Sequence, residues 1–242
     1  QRLVKEAFAD TELNKSVSLT SANSISIARL VPQVFYYFSA WKSLKDKNCS
    51  PVISVPCGNF GNLTAGLITW KMGLPLRHFV ASTNINNVVP KYFETGIFTP
   101  RASLPTISNA MDVGNPSNFS RMTEIFHHDH DEMRKMISGH FFSDDEIRDA
   151  IRELYSKYNY LADPHTAVGY SGLKKYLEGN KNQTGIFLST AHPAKFPESV
   201  QAVTGNVVEI PERLAILKDK PVLSVAFKNN YGDLKDFLKS KV

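Results

Sequence analysis

Short apolar runs alternate along the chain with longer segments of helical periodicity. The runs at residues 52–55, 78–82 and 185–188 are unbroken and are bounded by turn residues. Such runs are typical of strands that are buried on both faces of a parallel sheet. A fourth run, at 221–226, is a further strand candidate. The alternation predicts an α/β fold with three layers, in which a mainly parallel sheet carries helices on both faces.

Seven segments have the periodicity of helices, and some contain residues that mark where a helix begins or bends. They fall near residues 25–47, 62–73, 117–137, 143–158, 165–178, 194–203 and 229–240. Ser143 and Glu146 have the spacing of a capping box at the start of one helix. Pro32 predicts a kink or a first turn inside the first helical segment. The segment 84–118 is rich in Asn, Pro, Gly and Ser, with only a short helical piece at 87–95, and it is predicted to be a binding loop.

The composition narrows the class of protein. The chain has 242 residues, of which 42% are hydrophobic and 21% are charged, as in an ordinary globular protein. No apolar run approaches the ~20 residues of a membrane span, and no secretory segment opens the chain, so no membrane partner is expected. The cysteines, Cys49 and Cys57, are too few for a disulfide scaffold and favour the cytoplasm. The net charge of +5 is spread among acidic residues, which disfavours a nucleic-acid partner and suits small anionic ligands.

A loop of small residues follows the first predicted strand. Residues 56–66 read Pro-Cys-Gly-Asn-Phe-Gly-Asn-Leu-Thr-Ala-Gly, and a helical pattern leaves them. A strand that enters such a loop and leaves as a helix exposes backbone N–H groups that can hold a phosphate. The glycines and candidate side-chain donors are Gly58, Gly61, Asn59, Asn62 and Thr64. No Lys follows as in a Walker loop, so the pattern indicates a phosphate that stays bound. A tight turn without a ligand is the alternative that the pattern alone leaves open.

The loop string Cys57–Gly66 resembles the cofactor-phosphate loop of the threonine synthase family, which are pyridoxal-phosphate enzymes of the tryptophan-synthase-β fold type. Four more strings agree in family order: Ser21-Ala-Asn-Ser24 running on to Arg29, Ser108-Asn-Ala-Met-Asp-Val-Gly-Asn-Pro-Ser-Asn118, Asp163-Pro-His-Thr-Ala-Val-Gly169 and Thr190-Ala-His-Pro-Ala-Lys-Phe196. The resemblance covers nearly the whole chain. It departs from the family at Cys57, where Ser is usual, and at Ser26, where Asn is usual.

The resemblance implies both fold and activity. The fold is that of a truncated large domain of a fold-type II pyridoxal-phosphate enzyme, with residues 25–242 as the large domain and 1–24 as a remnant of the small domain. The implied reaction converts O-phosphohomoserine and water to L-threonine and phosphate, with pyridoxal 5'-phosphate as cofactor and a monomer or homodimer as the assembly. The family's Schiff-base lysine lies in a Phe-Lys-Asp-Phe-type motif that this sequence lacks. With Gln1 as its first residue, the chain is therefore interpreted as a C-terminal fragment that is inactive alone and holds no catalytic residue.

The resemblance also assigns binding residues. Cofactor contacts fall on Gly58, Asn59, Phe60, Gly61, Asn62 and Thr190. The Thr190 hydroxyl is expected to meet the pyridine nitrogen, and Lys195 is interpreted as a structural or rim cation rather than as the Schiff-base lysine. The substrate phosphate is assigned to Asn23, Ser24 and Arg29. From the residues alone, a helix cap at Asn23 and Ser24 with an exposed Arg29 is the favoured alternative.

Other polar positions have weaker interpretations. His165 follows Asp163-Pro164 and is expected to tie a helix N-terminus to a neighbouring loop rather than to act as a base. The histidines at 127, 128 and 130 are predicted to lie at a solvated helix end, and no metal site is expected there. Asn109, Asp112, Asn115, Ser117 and Asn118 lie in a loop that is close to the active site in the family, with an ordinary surface loop as the alternative.

Two other functions stay open at this point. One is a different pyridoxal-phosphate lyase of the same fold, which releases phosphate from another phosphorylated amine. The other is a non-catalytic module that binds a phosphate ligand and needs no lysine.

Overall fold

The computed structural model describes residues 2–21, 24, 26–46, 48–217 and 219–241. These form two compact units, one of Gln1–Ser26 with Pro211–Val242 and one of Ile27–Ile210. This division differs from the predicted boundary at residue 24, because the C-terminal segment packs with the N-terminal one. That residues 1–24 are a remnant of a smaller domain stays a prediction.

The smaller unit is helical. Its helices are α1 (Arg2–Ala9), α2 (Thr11–Ser16), α12 (Glu212–Ala215) and α13 (Tyr231–Lys239). Asp10 joins its two sequence segments by accepting hydrogen bonds from the Tyr231 hydroxyl at 2.6 Å and pairing with Lys235 at 2.9 Å. The helix predicted at 229–240 is confirmed as α13. The prediction of a strand at 221–226 is wrong. No strand forms there, and Val222 and Leu223 are 85% and 96% exposed. An apolar run becomes a strand only where a neighbouring edge can pair with it.

The larger unit contains a parallel sheet of four described strands. They are β1 (Val52–Pro56), β2 (His78–Thr83), β3 (Ile137–Phe141) and β4 (Gly185–Phe187), in the order β3-β2-β1-β4. Val52 of β1 lies opposite His78 on one side and Gly185 on the other. The parallel α/β fold predicted from the apolar runs is confirmed.

Strand β3 is absent from the prediction, which extended a helix to residue 137. Its first residue, Ile137, pairs with Phe79 and is buried, whereas the following residues are only partly buried or exposed. The strand therefore lacks an unbroken apolar run. Gly139 allows it to lie against helix Val88–Thr95, because a Cβ there would come within 2.7 Å of the Pro90 Cα.

The larger unit's α-helices are α3 (Ile27–Leu30), α4 (Val34–Lys42), α5 (Gly61–Lys71), α6 (Val88–Thr95), α7 (Phe119–Ile125), α8 (His130–Met136), α9 (Asp144–Tyr158), α10 (Pro164–Gly179) and α11 (Pro197–Thr204). Short 3₁₀ turns lie at Val31–Gln33, Asn109–Met111 and Pro193–Lys195. The turn at Val31–Gln33 contains Pro32, as predicted, and divides the segment that was expected to be one helix. The capping box of Ser143 and Glu146 is confirmed at the start of α9. No helix in the described part of the chain is long and apolar enough to cross a membrane.

The helix predicted at 117–137 is divided into α7 and α8. His127 and His128 both have left-handed backbone angles, with φ of 51° and 61°, which end the first helix. Asp129 then caps the second by accepting the Glu132 N–H at 2.9 Å. The histidines thus lie at helix ends, and no group of three metal-ligating side chains occurs among the described residues.

The two faces of the sheet pack against different helices. Residues Ile53, Val55, Phe79 and Ala81 belong to a core with side chains of α4, α5, α7 and α8. The alternate residues Val52 and Val80 pack instead with Leu173 of α10. Since successive side chains of a strand point to opposite faces, helices cover both faces of the sheet, as predicted.

Helix α10 approaches the sheet unusually closely. A Cβ on Gly172 would lie 1.8 Å from the Ser82 Oγ, so only glycine fits there. The Ser54 hydroxyl donates to the Gly169 carbonyl at 2.6 Å and lies 2.8 Å from the Ser82 hydroxyl. These polar groups are buried, and their mutual hydrogen bonds make that burial tolerable.

The burial of His78 predicts a pH-dependent stability. Its ring stacks on Tyr176 at 4.9 Å, its Nε2 lies 3.0 Å from the Ser138 Oγ, and burial lowers its pKa from 6.5 to about 4. As the pH falls, the unfolded chain therefore binds a proton at His78 at a higher pH than the folded chain does. The stabilisation is complete above pH 6.5 and is lost as the pH falls towards 4.

We expect His78 to account for a loss of about 2 kcal/mol of unfolding free energy between pH 7.5 and pH 5. The measurement is urea unfolding at both pH values. His78→Phe keeps a ring on Tyr176 and should lose this part of the pH dependence. His128→Gln, at an exposed histidine, should keep it. An equal pH dependence in the His78→Phe chain would contradict the assignment.

Candidate functional site

A cavity of about 610 Å³ lies at the carboxyl edge of the sheet. The residues of its wall that could bind a ligand are Arg29, Gln33, Tyr36, Asn62, Ser189 and Thr190. Ser189 and Thr190 follow β4 directly, and Asn62 lies in the helix that follows β1. Ligands of open parallel sheets bind at this edge. The structure thus brings together Arg29, Asn62 and Thr190, which the sequence analysis singled out in three separate strings.

The loop after β1 ends in an uncapped helix. Phe60 precedes α5 with left-handed backbone angles, φ 61° and ψ 12°, and its side chain caps nothing. The Thr64 N–H bonds to the Phe60 carbonyl at 3.0 Å. The N–H groups of Gly61, Asn62 and Leu63 have no acceptor in the described part of the chain. Unpaired N–H groups and the helix dipole together favour an anion at this end.

The side chains of this loop make hydrogen bonds to the protein, and their predicted contacts to a ligand stay a prediction. The Asn59 amide is engaged with Ser117, whose backbone N–H donates to Asn59 Oδ1 at 2.6 Å, and Asn118 Nδ2 donates to the Asn59 carbonyl at 2.9 Å. The Asn62 Oδ1 accepts from the Tyr37 hydroxyl at 2.8 Å. The Thr64 hydroxyl donates back to the Phe60 carbonyl at 2.7 Å. These side chains hold the loop in shape, while the backbone N–H groups of Gly61, Asn62 and Leu63 have no acceptor among the described residues.

Two residues at the start of the loop are tightly enclosed. A Cβ on Gly58 would lie 2.8 Å from the Met111 Cα, so glycine lets the turn Asn109–Met111 rest on the loop. The Cys57 Sγ donates to the Val55 carbonyl at 3.1 Å, and burial raises the pKa of this thiol. Cys57 therefore fills space beneath the loop as a neutral group.

A buried polar network supports the segment 104–118 that lies beside the loop. Asn84 Nδ2 donates to Ser108 Oγ at 3.0 Å and to Asp112 Oδ1 at 2.9 Å. The Thr106 hydroxyl donates to the same carboxylate oxygen at 2.7 Å. Asn86 extends the network, since its amide bonds Asn84 Oδ1 at 3.0 Å. The predicted binding loop is irregular in backbone, as expected, and internal hydrogen bonds hold it.

The other predicted loop residues have separate positions. Ser117 and Asn118 bind Asn59, while Asn115 is exposed. Asn109 and Lys195 line a second cavity, of about 560 Å³, together with Asp144 and Phe196. Lys195 is thus not among the residues that line the cavity of Thr190.

His165 lies at the start of α10, as predicted. Asp163 caps this helix and accepts from the His165 Nδ1 at 3.0 Å, and the His165 ring packs on Phe196 with centroids 4.6 Å apart. Burial opposes ionisation of Asp163, but hydrogen bonds from His165 and Thr166 outweigh it and lower the pKa of Asp163. The dyad orients the helix end, and His165 is buried away from solvent.

The predicted substrate-phosphate group is only partly placed. Asn23 lies outside the described residues. Ser24 belongs to the smaller unit, and Arg29 belongs to the larger unit and lines the 610 Å³ cavity. A joint grip by these residues stays a prediction.

Comparison with known proteins places the chain among cofactor-dependent enzymes. A family model described as pyridoxal-phosphate dependent enzyme matches residues 17–189, and one described as threonine synthase, C-terminal, matches residues 166–238. A threonine synthase of Haemophilus influenzae is 46% identical over 239 residues, which cover 98% of this chain and 55% of the relative. The threonine synthase of Escherichia coli is 42% identical over 240 residues, which cover 98% of this chain and 55% of that relative.

Solved structures agree. The crystal structure of threonine synthase from Escherichia coli matches all of this chain with a TM-score of 0.91 and 40% identity, and 56% of that protein is covered. The structure of threonine synthase from Brucella melitensis with pyridoxal phosphate bound matches with a TM-score of 0.85 and 31% identity. The match covers 99% of this chain and 56% of that protein. The chain therefore spans a little over half the length of the relatives it matches.

The enclosure of Gly58 predicts a stability effect. Gly58→Ala forces the Met111 backbone to move and should cost about 1–3 kcal/mol of unfolding free energy. Gly179→Ala is the matched control, because Gly179 is the last residue of α10 and has no heavy atom within 4 Å of the added Cβ. It should gain about 0.5–1 kcal/mol. The measurement is the urea midpoint of unfolding of the wild-type, Gly58→Ala and Gly179→Ala chains. Equal midpoints for wild type and Gly58→Ala would refute the close contact.

Proposed function

Because the chain belongs to the family of pyridoxal-phosphate dependent enzymes, we propose that it is the cofactor-binding part of a threonine synthase. The proposed reaction of the whole protein converts O-phosphohomoserine and water to L-threonine and phosphate, with pyridoxal 5'-phosphate as cofactor. Relatives of that name, 40–46% identical over nearly all of this chain, support the proposal. The activity is proposed for a longer protein, since the chain spans 55% of the Haemophilus influenzae relative.

The observation that carries the proposal is the uncapped start of α5. Three backbone N–H groups, at Gly61, Asn62 and Leu63, lack an acceptor among the described residues, and Asn62 also lines the cavity. A phosphate monoester has the charge and the acceptor oxygens that such a helix end binds. We assign the cofactor phosphate to these groups, with Gly58 and the Asn59–Ser117 contact shaping the loop around it.

Thr190 is the proposed partner of the cofactor's pyridine nitrogen. It lies on the wall of the same cavity and is exposed there. When bound, pyridoxal phosphate withdraws electrons from the carbon that carries the substrate's amino group and eases the loss of a proton from it. A neutral hydroxyl can donate a hydrogen bond to the ring nitrogen without supplying a full proton. Thr190 would therefore orient the ring and keep its nitrogen unprotonated.

Arg29 is the proposed site for the phosphate of the substrate. Its side chain lies on the cavity wall that Asn62 and Thr190 share. A guanidinium offers paired donors and a permanent charge, which suit a phosphate group. The Gln33 amide donates to the Arg29 carbonyl at 2.9 Å and helps to fix this part of the backbone.

The reaction also needs a lysine that binds the cofactor covalently. No lysine is among the described residues that line the cavity. We propose that this lysine comes from a part of the protein outside the 242 residues, and that the protein works in the cytoplasm as a monomer or homodimer.

Cofactor binding can be tested on the chain itself. We expect pyridoxal phosphate to bind without a covalent bond and to be displaced by inorganic phosphate, because the helix end recognises the phosphate group. Asn59→Ala should weaken binding about fivefold, since it removes hydrogen bonds that shape the loop. Asn206→Ala, at an exposed asparagine, is the control. Borohydride reduction that labels one lysine stoichiometrically, or binding that ignores inorganic phosphate, would count against the proposal.

The role of Arg29 is tested in the longer protein. Arg29→Ala should lower kcat/KM for O-phosphohomoserine by about 10–100-fold, because a charge-assisted hydrogen bond contributes about 1.5–3 kcal/mol. The content of bound cofactor should stay the same. Arg152→Ala removes the same charge from the exposed face of α9 and should have no effect. Loss of cofactor with an unchanged KM would show that Arg29 has been assigned to the wrong phosphate.

A further inference from the structure

A chain of hydrogen bonds runs from the buried start of α10 to the wall of the 610 Å³ cavity. Asp163 is 1% exposed, and its Oδ1 accepts from the His165 N–H, the His165 Nδ1 and the Thr166 N–H at 2.9, 3.0 and 3.3 Å. Its Oδ2 accepts the hydroxyl of Thr166. A carboxyl group that receives this many donors is ionised, and it can only accept.

The direction of every hydrogen bond in the chain follows from counting protons. A hydroxyl group has one proton, and Thr166 gives its proton to Asp163. The contact of 3.0 Å between the hydroxyls of Thr166 and Ser189 must therefore be donated by Ser189. The Tyr160 hydroxyl lies 3.4 Å from the Ser189 Oγ and donates to it. Ser189 is left with no proton for a ligand, only a lone pair.

The neighbouring hydroxyl of Thr190, unlike that of Ser189, still has its proton available for a ligand. Ser189 and Thr190 line the same cavity, but the Thr190 hydroxyl makes no hydrogen bond to a described residue. Its proton is free to point at a ligand. Two adjacent hydroxyl groups therefore present different chemistry to the cavity, although the sequence gives them similar side chains.

We propose that the hydrogen bonds that link Asp163, Thr166 and Ser189 decide which hydroxyl donates into the cavity, fixing Ser189 as an acceptor and leaving Thr190 as the donor. Asp163 is then a positioning residue that acts through two intervening hydroxyls. The ligand chemistry that fits is an unprotonated aromatic nitrogen at Thr190 and a hydroxyl or amino group at Ser189. An unprotonated nitrogen against Ser189 would be repelled. This inference rests on the proposed function, because it takes the ligand to be pyridoxal phosphate.

The direct test locates the protons. Neutron diffraction from deuterated crystals of the chain should show the Ser189 deuteron directed at Thr166 and the Thr166 deuteron directed at Asp163. In Asp163→Asn the carbonyl still accepts from His165 and caps α10, since Asn is also a good N-cap, while the new NH₂ donates to Thr166. The direction of the hydrogen bonds should then reverse, with Thr166 donating to Ser189. If Asp163→Asn does not fold, Thr166→Val serves instead and should release the Ser189 proton towards the cavity.

A binding test connects this polarity to the ligand. Pyridoxal phosphate and its N-methylated form differ in the lone pair of the ring nitrogen. The wild-type chain should bind the unmethylated form at least about fivefold more tightly, the value of one hydrogen bond. Thr190→Val should abolish that preference, and Ser189→Ala should retain it.

The outcomes separate the two proposals. A Ser189 deuteron that points into the wild-type cavity, or a preference that disappears in Ser189→Ala but survives in Thr190→Val, overturns the inference. If neither form of the cofactor binds, the proposed function fails instead, and the neutron map still decides the direction of the hydrogen bonds.

Discussion

The close contact between α10 and the sheet is the constraint on which the cavity depends. Gly172 leaves no room for a side chain above Ser82, and the hydroxyl of Ser54 bonds directly to the backbone of the helix at Gly169. A helix seated this tightly cannot slide or rotate without breaking buried hydrogen bonds. Its first residues are thereby fixed beside the carboxyl ends of the strands. The position of Asp163, and through it the loop after β4, follows from packing in the middle of the helix, at Gly169 and Gly172.

The other wall of the site is built on a different principle. In the loop after β1, side chains such as Asn59 and Thr64 bond to the protein, and the backbone N–H groups at the start of α5 have no acceptor among the described residues. Backbone donors need no rotamer to be fixed when a ligand binds, so little further side-chain entropy is lost at that moment. The site therefore combines a rigid backbone cup with two adjacent hydroxyls, of which Ser189 is bonded to Thr166 and Thr190 is not.

The sequence predicts those parts of the structure that leave a local pattern. Strand β1 and the glycine loop are contiguous in sequence and were predicted with nearly correct limits. Strand β3 was not, because its only deeply buried residue is Ile137, and neither was the helix break at His127, which depends on left-handed backbone angles. The contact between Thr166 and Ser189 joins residues that are 23 positions apart. No periodicity records such a pair, and only the packing of α10 reveals it.

The network around Asp112 has a consequence for how this family can diverge. Asn84, Asn86 and Thr106 each bond to the single carboxylate, so replacing Asp112 alone removes one acceptor from three side chains at once, and each buried donor left unpaired costs about 1–3 kcal/mol. An apolar replacement of the whole set would avoid that cost, but it requires several simultaneous changes. Descendants that lose the carboxylate first pass through unstable intermediates. The network should therefore be inherited as a unit, while the exposed positions around it drift.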